Sequence, residues 1–219
     1  MDQPIFFVDF EGSVASGVLE FGIALVLGGR VTGAQSRLCA PTGRVRDEDT
    51  RIHGLAEKSL AGCAPFSDEW DLFADYRERG PLAAHYAGAE NSLLKSVWPY
   101  PRSSPDFARG AGAKVIDWGP WIDTASLYSQ LYPRMESGRL EALVTACGLQ
   151  GELDALAIAH CPPARRRYHA ALYDAMAGAL LLASLSRHAN LASLTVMQLL
   201  ALSALDPRKR DSIVQRELF

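Results

Sequence analysis

Apolar positions in the first forty residues fall in three runs: Pro4 to Phe10, Val18 to Leu27, and Arg30 to Leu38 after the pair Gly28-Gly29. β-Branched and aromatic residues bounded by glycine predict three antiparallel strands joined by tight turns. The pattern then changes period. Ser67 reads as an N-cap before Trp70, Leu72, Phe73 and Tyr76, a helix that stops at Gly80-Pro81. Leu82 to His85 reads as a short buried strand followed by a helix over Asn91 to Trp98. The prolines and glycines between Pro99 and Ala113 predict a surface loop, and Lys114 to Trp118 a fifth strand. The remainder has helical spacing over Ile122 to Tyr132, Leu140 to Cys147, Tyr168 to Ser186 and Leu191 to Leu205. Strands first, then alternation, then helices predict an α/β fold with a mixed five-stranded sheet flanked by helices.

The chain has 219 residues, 48% of them hydrophobic and 21% charged, enough to bury one full domain with an appendage and to exclude wholesale disorder. Its 22 basic residues against 25 acidic ones give a net charge of -3, so a nucleic-acid partner would have to be held by local basic patches. Cys39, Cys63, Cys147 and Cys161 have neither finger nor disulfide-framework spacing, which predicts a reducing compartment. Met-Asp-Gln-Pro lacks a basic leader region, and the expected location is the cytoplasm. Leu191 to Leu205 is too short to span a bilayer and is expected to be a buried or partner-facing helix.

Asp9 and Glu11 end the most apolar of the strands, and the two-residue period points both side chains to one face. Two carboxylates in one small volume repel, and a divalent cation relieves the conflict; solvation of a strand end is the simpler reading. Glu90 opens a helix after the strand ending at His85, where it would complement the helix dipole. His169 and Asp174 stand five residues apart at the start of a predicted long helix, about one and a half turns, so no direct pair is expected. The histidine would project from the entry to the helix and the aspartate would point inward.

Phe7-Val8-Asp9-Phe10-Glu11, Leu19-Glu20-Phe21-Gly22, Ile52-His53-Gly54-Leu55, Ala84-His85 to Glu90, Asp123-Thr124 and His169 to Asp174 occur in one order along residues 4 to 186. In that order they resemble the DEDDh exonucleases, in the branch that includes the proofreading subunit of bacterial DNA polymerase III and ribonuclease T. The resemblance implies a ribonuclease H-like sheet. It also implies two divalent ions, Mg2+ or Mn2+, held by Asp9, Glu11, Glu90 and Asp174, with His169 as general base. Such a site would release nucleoside 5'-monophosphates from the 3' ends of single-stranded DNA or RNA.

Three departures qualify the match. Gly12-Ser13-Val14 replaces the family's threonines after the first Glu, so Gly12 and Ser13 would contact the terminal nucleotide differently. Tyr86 stands where Asn is common. Glu90 stands where the family has Asp, and its extra methylene predicts weaker binding of one metal or a preference for Mn2+, with Glu90→Asp raising Mg2+-supported turnover. The same substitution supports a rival reading, a nucleic-acid-binding or scaffold protein that keeps the fold without turnover.

Arg165, Arg166 and Arg167 beside His169 would hold backbone phosphates, or form a solvated basic loop. His53 falls in a segment expected near the nucleotide, although His53 and His85 also read as structural. Trp118 and Trp121 read as packing residues. The expected organisation is an exonuclease domain over 1-186, an apolar helix over 187-206 packed on it or at a homodimer seam, and a basic tail over 207-219. That tail ends in Gln215 to Phe219, which resembles the peptides that dock on bacterial sliding clamps.

Overall fold

The computed structural model describes residues 3–110 and 112–204, so the clamp-like end Gln215 to Phe219 and the basic run before it lie outside the described residues. In chain order the strands are β1 (Ile5–Ser13), β2 (Gly17–Leu27), β3 (Arg30–Leu38), β4 (Leu82–Ala84), β5 (Ser104–Pro105), β6 (Lys114–Val115) and β7 (Ile122–Asp123). The helices are α1 (Asp47–His53), α2 (Trp70–Arg79), α3 (Ala87–Val97), α4 (Thr124–Leu131), α5 (Leu140–Ala146), α6 (Gln150–His160), α7 (Ala171–Ser184) and α8 (Val196–Ser203). The main sheet has five strands in the order β3-β2-β1-β4-β7. β1, β2 and β3 run antiparallel, while β4 and β7 join parallel to β1, giving the mixed sheet expected from the sequence.

Alternation along β1 divides the core. Ile5 and Phe7 pack on the face covered by α7, with Ala24, Val26 and Ala83. Phe6, Val8 and Phe10 pack on the opposite face with Phe66, Phe73, Leu94 and Trp118. Burial on both faces explains why β1 and β2 read as continuous apolar runs. Asp9 and Glu11 belong to the Ile5-Phe7 face by register, so they lie under the first turns of α7. All residues of α7 are buried, because the helix is enclosed between the sheet and the helices around it. Gly22, opposite Asp9 in the β1–β2 pairing, lets β2 approach the start of α7 closely; a Cβ there would stand 2.3 Å from the backbone of Ala171 and Leu172.

Several local expectations are corrected. The fifth strand of the sheet is Ile122–Asp123, not Lys114 to Trp118: Lys114–Val115 pairs only with Ser104–Pro105 in a separate ribbon. The 99 to 113 segment is therefore pinned rather than a free surface loop. Fully buried Arg77 donates to the carbonyls of Pro105, Trp118 and Gly119. Ser67 caps nothing, since Phe66–Glu69 is a 3-10 turn and α2 starts at Trp70 with no side-chain cap. α3 begins at Ala87, four residues earlier than read, because Asp123 accepts the N–H groups of Tyr86 and Ala87. The helix read over Leu191 to Leu205 starts only at Val196, where Thr195 and Gln198 form a capping box. α8 packs on α4 and β7, and its Leu199 and Leu200 join the main core. α1 and α6 had no clear periodic signal; in α6 only Leu153 and Ala157 are buried, while Ile158 faces solvent and Gly151 sits in the first turn. Among the described residues no single helix is long and apolar enough to cross a membrane.

Because the atoms facing Gly22 are backbone, they cannot rotate away. Gly22→Ala is expected to destabilise the protein by about 1–3 kcal/mol through overpacking. A urea unfolding midpoint unchanged from wild type would contradict this packing.

Candidate active site

Three elements bring the acidic residues together. β1 supplies Asp9 and Glu11, the first turn of α3 supplies Glu90, and the first turn of α7 supplies Asp174. Glu11 and Asp174 are buried, while Asp9 and Glu90 are partly so. Oxygens of Glu11 and Asp174 and a ring nitrogen of His169 lie within 4.8 Å of one another. Glu90 reaches across to β1, where its Oε2 accepts the Phe10 N–H at 3.1 Å. Glu11, Asp174 and His169 thus form one group, with Asp9 on the same face of β1 and Glu90 bonded to the strand between Asp9 and Glu11.

Crowding shows in their acidity. Burial foremost, then the charges of Glu90, Asp174 and Glu11, hold the Asp9 carboxyl well above its usual range. Glu11 is pushed up to about 8 by burial and by Asp174 and Glu20, with Arg165 opposing. Burial also lifts Glu90 to about 8 against the lowering effect of the Phe10 N–H. Asp174 rises to about 7 by burial, offset in part by the His169 N–H and by Arg165. Each shift means that ionisation costs more here than in water.

His169 projects from the entry to α7 as expected, but the helix starts later than Tyr168. It does not ride on α7, which starts at Ala171 with Ala170 as its N-cap; His169 is exposed, with φ at +62°, in the left-handed region. Helical azimuths therefore do not apply, and the two residues are paired after all: the His169 N–H donates to Asp174 Oδ2 at 2.9 Å. Tyr86 at +64° is the other non-glycine residue with positive φ among the described residues, at the N-cap of α3. Its N–H donates to Asp123 Oδ1 at 3.2 Å and its hydroxyl to the Gly138 carbonyl at 3.3 Å. Left-handed conformations in bulky residues gather at functional sites, where surrounding contacts hold them.

The remaining sequence candidates divide. Gly12, with φ at +133°, forms the bulge after Glu11, where a Cβ would meet the Gly17 carbonyl oxygen at 2.2 Å. Ser13 turns toward Ser16, their hydroxyls 3.1 Å apart. His53 is buried and its Nδ1 accepts the Leu55 N–H at 3.0 Å; burial pushes its imidazole down in pKa. The arginine triplet is not a free phosphate clamp. Arg165 pairs with Glu20 and donates to the His53 carbonyl, Arg166 donates to the carbonyls of Cys161 and Ile158, and Arg167 lies against those of Ile52 and His53. Guanidinium donors are drawn to the orphan carbonyls where helices end, here α6 for Arg166 and α1 for Arg165 and Arg167. His85 bridges Thr124 and Gly138, Trp118 donates to the Trp98 carbonyl, and Trp121 donates to Asn91, all structural roles.

Two residues of the matched segments carried no role by sequence. Glu20 lies opposite Glu11 in the strand pairing, is buried, and accepts from Arg165 and from the Ala171 N–H at 3.1 Å. An acidic residue within an otherwise apolar strand was the available signal. Asp123 caps α4 and also holds the start of α3, so one carboxylate sets two helix entries.

No protein-family model and no curated protein matches the sequence. Solved structures do. Exonuclease X, in complex with 5' overhanging duplex DNA, matches with a TM-score of 0.63 and 21% identity, covering 92% of this chain and 99% of that one. The nuclease domain of 3'hExo, a DEDDh family member bound to rAMP, matches with a TM-score of 0.61 and 13% identity over 87% and 95% of the two chains. The chain has the DEDDh exonuclease fold. A moderately thermophilic Exonuclease I from Methylocaldum szegediense shares this exonuclease fold at a TM-score of 0.64 and 14% identity; the match spans 97% of this chain and 45% of that one.

Because folding raises the pKa of these acids, the folded state binds more protons than the unfolded state between the ordinary carboxylate range and about pH 8. Metal-free protein is therefore expected to lose thermal stability as pH rises through that window. Glu90→Gln should flatten the slope, and Mn2+ added at pH 8 should raise the melting temperature. Melting curves that rise with pH, or that ignore the cation, would contradict the assignment.

Proposed function

We propose that the protein is a divalent-metal-dependent 3'-to-5' exonuclease acting on single-stranded DNA or RNA and releasing nucleoside 5'-monophosphates. The observation that carries the reading is the grouping of Glu11, Asp174 and His169 beside Asp9, with Glu90 bonded to the same strand, on the exonuclease fold.

The donor set fits hard cations. Carboxylate oxygens are the usual ligands of Mg2+ and Mn2+. Asp174 Oδ1 is buried with no hydrogen-bond partner among the described residues, an acceptor that lacks its counterpart. Asp9, Glu11, Glu90 and Asp174 would hold the metal. Two such ions supply neutralisation of the phosphate charge and a more acidic water. His169 accepts the proton of the attacking water, and the water oxygen bonds to phosphorus. The bond to the 3' oxygen of the preceding nucleotide breaks, and that oxygen takes a proton from solvent. Exposure suits His169 to this task, because the proton must then leave to bulk water. The Asp174 carboxylate, accepting the His169 N–H, holds the backbone of the proton acceptor against the metal cluster.

Glu90 is compatible with this enzyme, since its carboxylate bonds to β1 between Asp9 and Glu11. The effect expected for Glu90→Asp accordingly changes sign: the shorter side chain gives up the Phe10 contact and should lower Mg2+-supported turnover by about 10-fold or more, the scale at which misplaced active-site groups act. In a time course on 5'-labelled single-stranded DNA and RNA with Mg2+ or Mn2+, wild type should yield a progressively shortening ladder and Asp9→Ala none. Intact strands with wild type in both metals would overturn the enzyme reading, and faster digestion by Glu90→Asp would overturn the role given to the glutamate.

A further inference from the structure

The two oxygens of Glu20 touch both sides of the His169 segment. Oε2 accepts the Ala171 N–H at 3.1 Å, and the carboxylate pairs with Arg165, its Oε1 accepting from Arg165 Nε at 3.2 Å. Arg165 Nη2 in turn donates to the His169 carbonyl at 3.4 Å, while Nη1 donates to the carbonyl of His53 at the end of α1. The peptide groups on either side of Ala170 are thus clamped from one buried carboxylate on β2, directly or through one guanidinium. His169 itself has φ at +62°, a conformation that an L-residue with a side chain this size holds only where its neighbours impose it. Asp174 fixes the His169 N–H, while Glu20 and Arg165 fix the His169 carbonyl and the Ala171 N–H.

We infer that Glu20, acting with Arg165, is a positioning residue for His169: the pair holds the backbone in the left-handed turn that aims the imidazole at Glu11 and Asp174. The inference rests on the reading of His169 as proton acceptor. Glu20 bonds to Arg165 and to the Ala171 amide, and neither of these is a reacting group. Its charge also bears on Glu11 and Asp174, so an effect through the histidine is told apart from one through the carboxylates by whether it survives in a chain that lacks the imidazole.

The test is a double-mutant cycle on the full chain with single-stranded DNA and Mn2+, comparing wild type, Glu20→Gln, His169→Ala and the double variant. Glu20→Gln is expected to lower kcat by about 10- to 100-fold with KM little changed, and to have no further effect when His169 is already alanine, as for residues acting as one unit. Arg165→Lys, which keeps the charge and loses the fork, should reproduce the kcat loss if Glu20→Gln folds poorly. Hydrogen exchange of the Ala171 amide in metal-free protein should accelerate in either variant. Losses that multiply in the double variant, a rise in KM without a fall in kcat, or unchanged exchange would overturn the positioning role. Wild type without activity would instead remove the exonuclease reading beneath it, and full activity in His169→Ala would remove only the base assignment and this inference with it.

Discussion

Four carboxylates crowded at the end of one buried strand set the terms for the rest of this protein. Asp9 and Glu11 face α7 because β1 alternates, and Glu90 and Asp174 arrive in the first turns of two helices. Helix N-termini favour negative charge, which offsets part of the repulsion but not the desolvation that dominates each shift. Arg165, the guanidinium that lowers Glu11 and Asp174, is bound to Glu20 and to main-chain carbonyls. Among the described residues no uncommitted positive charge faces the cluster, and under the proposed function a divalent cation would supply one.

Holding this arrangement requires close approaches that the chain builds from small residues and backbone bonds. Gly22 lets β2 touch the start of α7, and Gly178 lets α7 settle on Phe7, whose ring a Cβ would meet at 2.1 Å. Asp123 plays the matching part on the far side, joining β7 to the entries of α3 and α4, and its own N–H is received by Ser203 of α8. Helix α8 therefore supports β7 and the helix entries beside it through one hydroxyl. Tyr86 and His169, the two non-glycine residues in the left-handed region among the described residues, stand where such carboxylates grip the backbone.

Much of this was legible in the sequence because burial leaves a direct trace. Three apolar runs with turn glycines locate β1, β2 and β3, and the ordered acidic and histidine segments point to the exonuclease fold that solved structures share. Elements set by tertiary contact were not legible. Ile122–Asp123 is too short to carry a period, and its strand character comes from pairing with Ala83 and Ala84. The left-handed turn at His169 is held by Asp174, Arg165 and, from a strand near the other end of the chain, Glu20, so the helical reading from Tyr168 began three residues early although it put the histidine at the helix entry. The arginine triplet is exposed at Arg166 and Arg167, as a charge run suggests, and what the sequence did not show is that its guanidiniums also close the ends of α1 and α6.

The central claim is that the acidic cluster is a divalent-metal centre. A crystal grown with Mn2+ and a nucleoside 5'-monophosphate, measured for the anomalous signal of manganese, tests it most directly. The prediction is anomalous density within coordination distance of Asp9, Glu11, Glu90 and Asp174, lost in an Asp174→Asn crystal. Manganese found elsewhere with the cluster empty would contradict the claim.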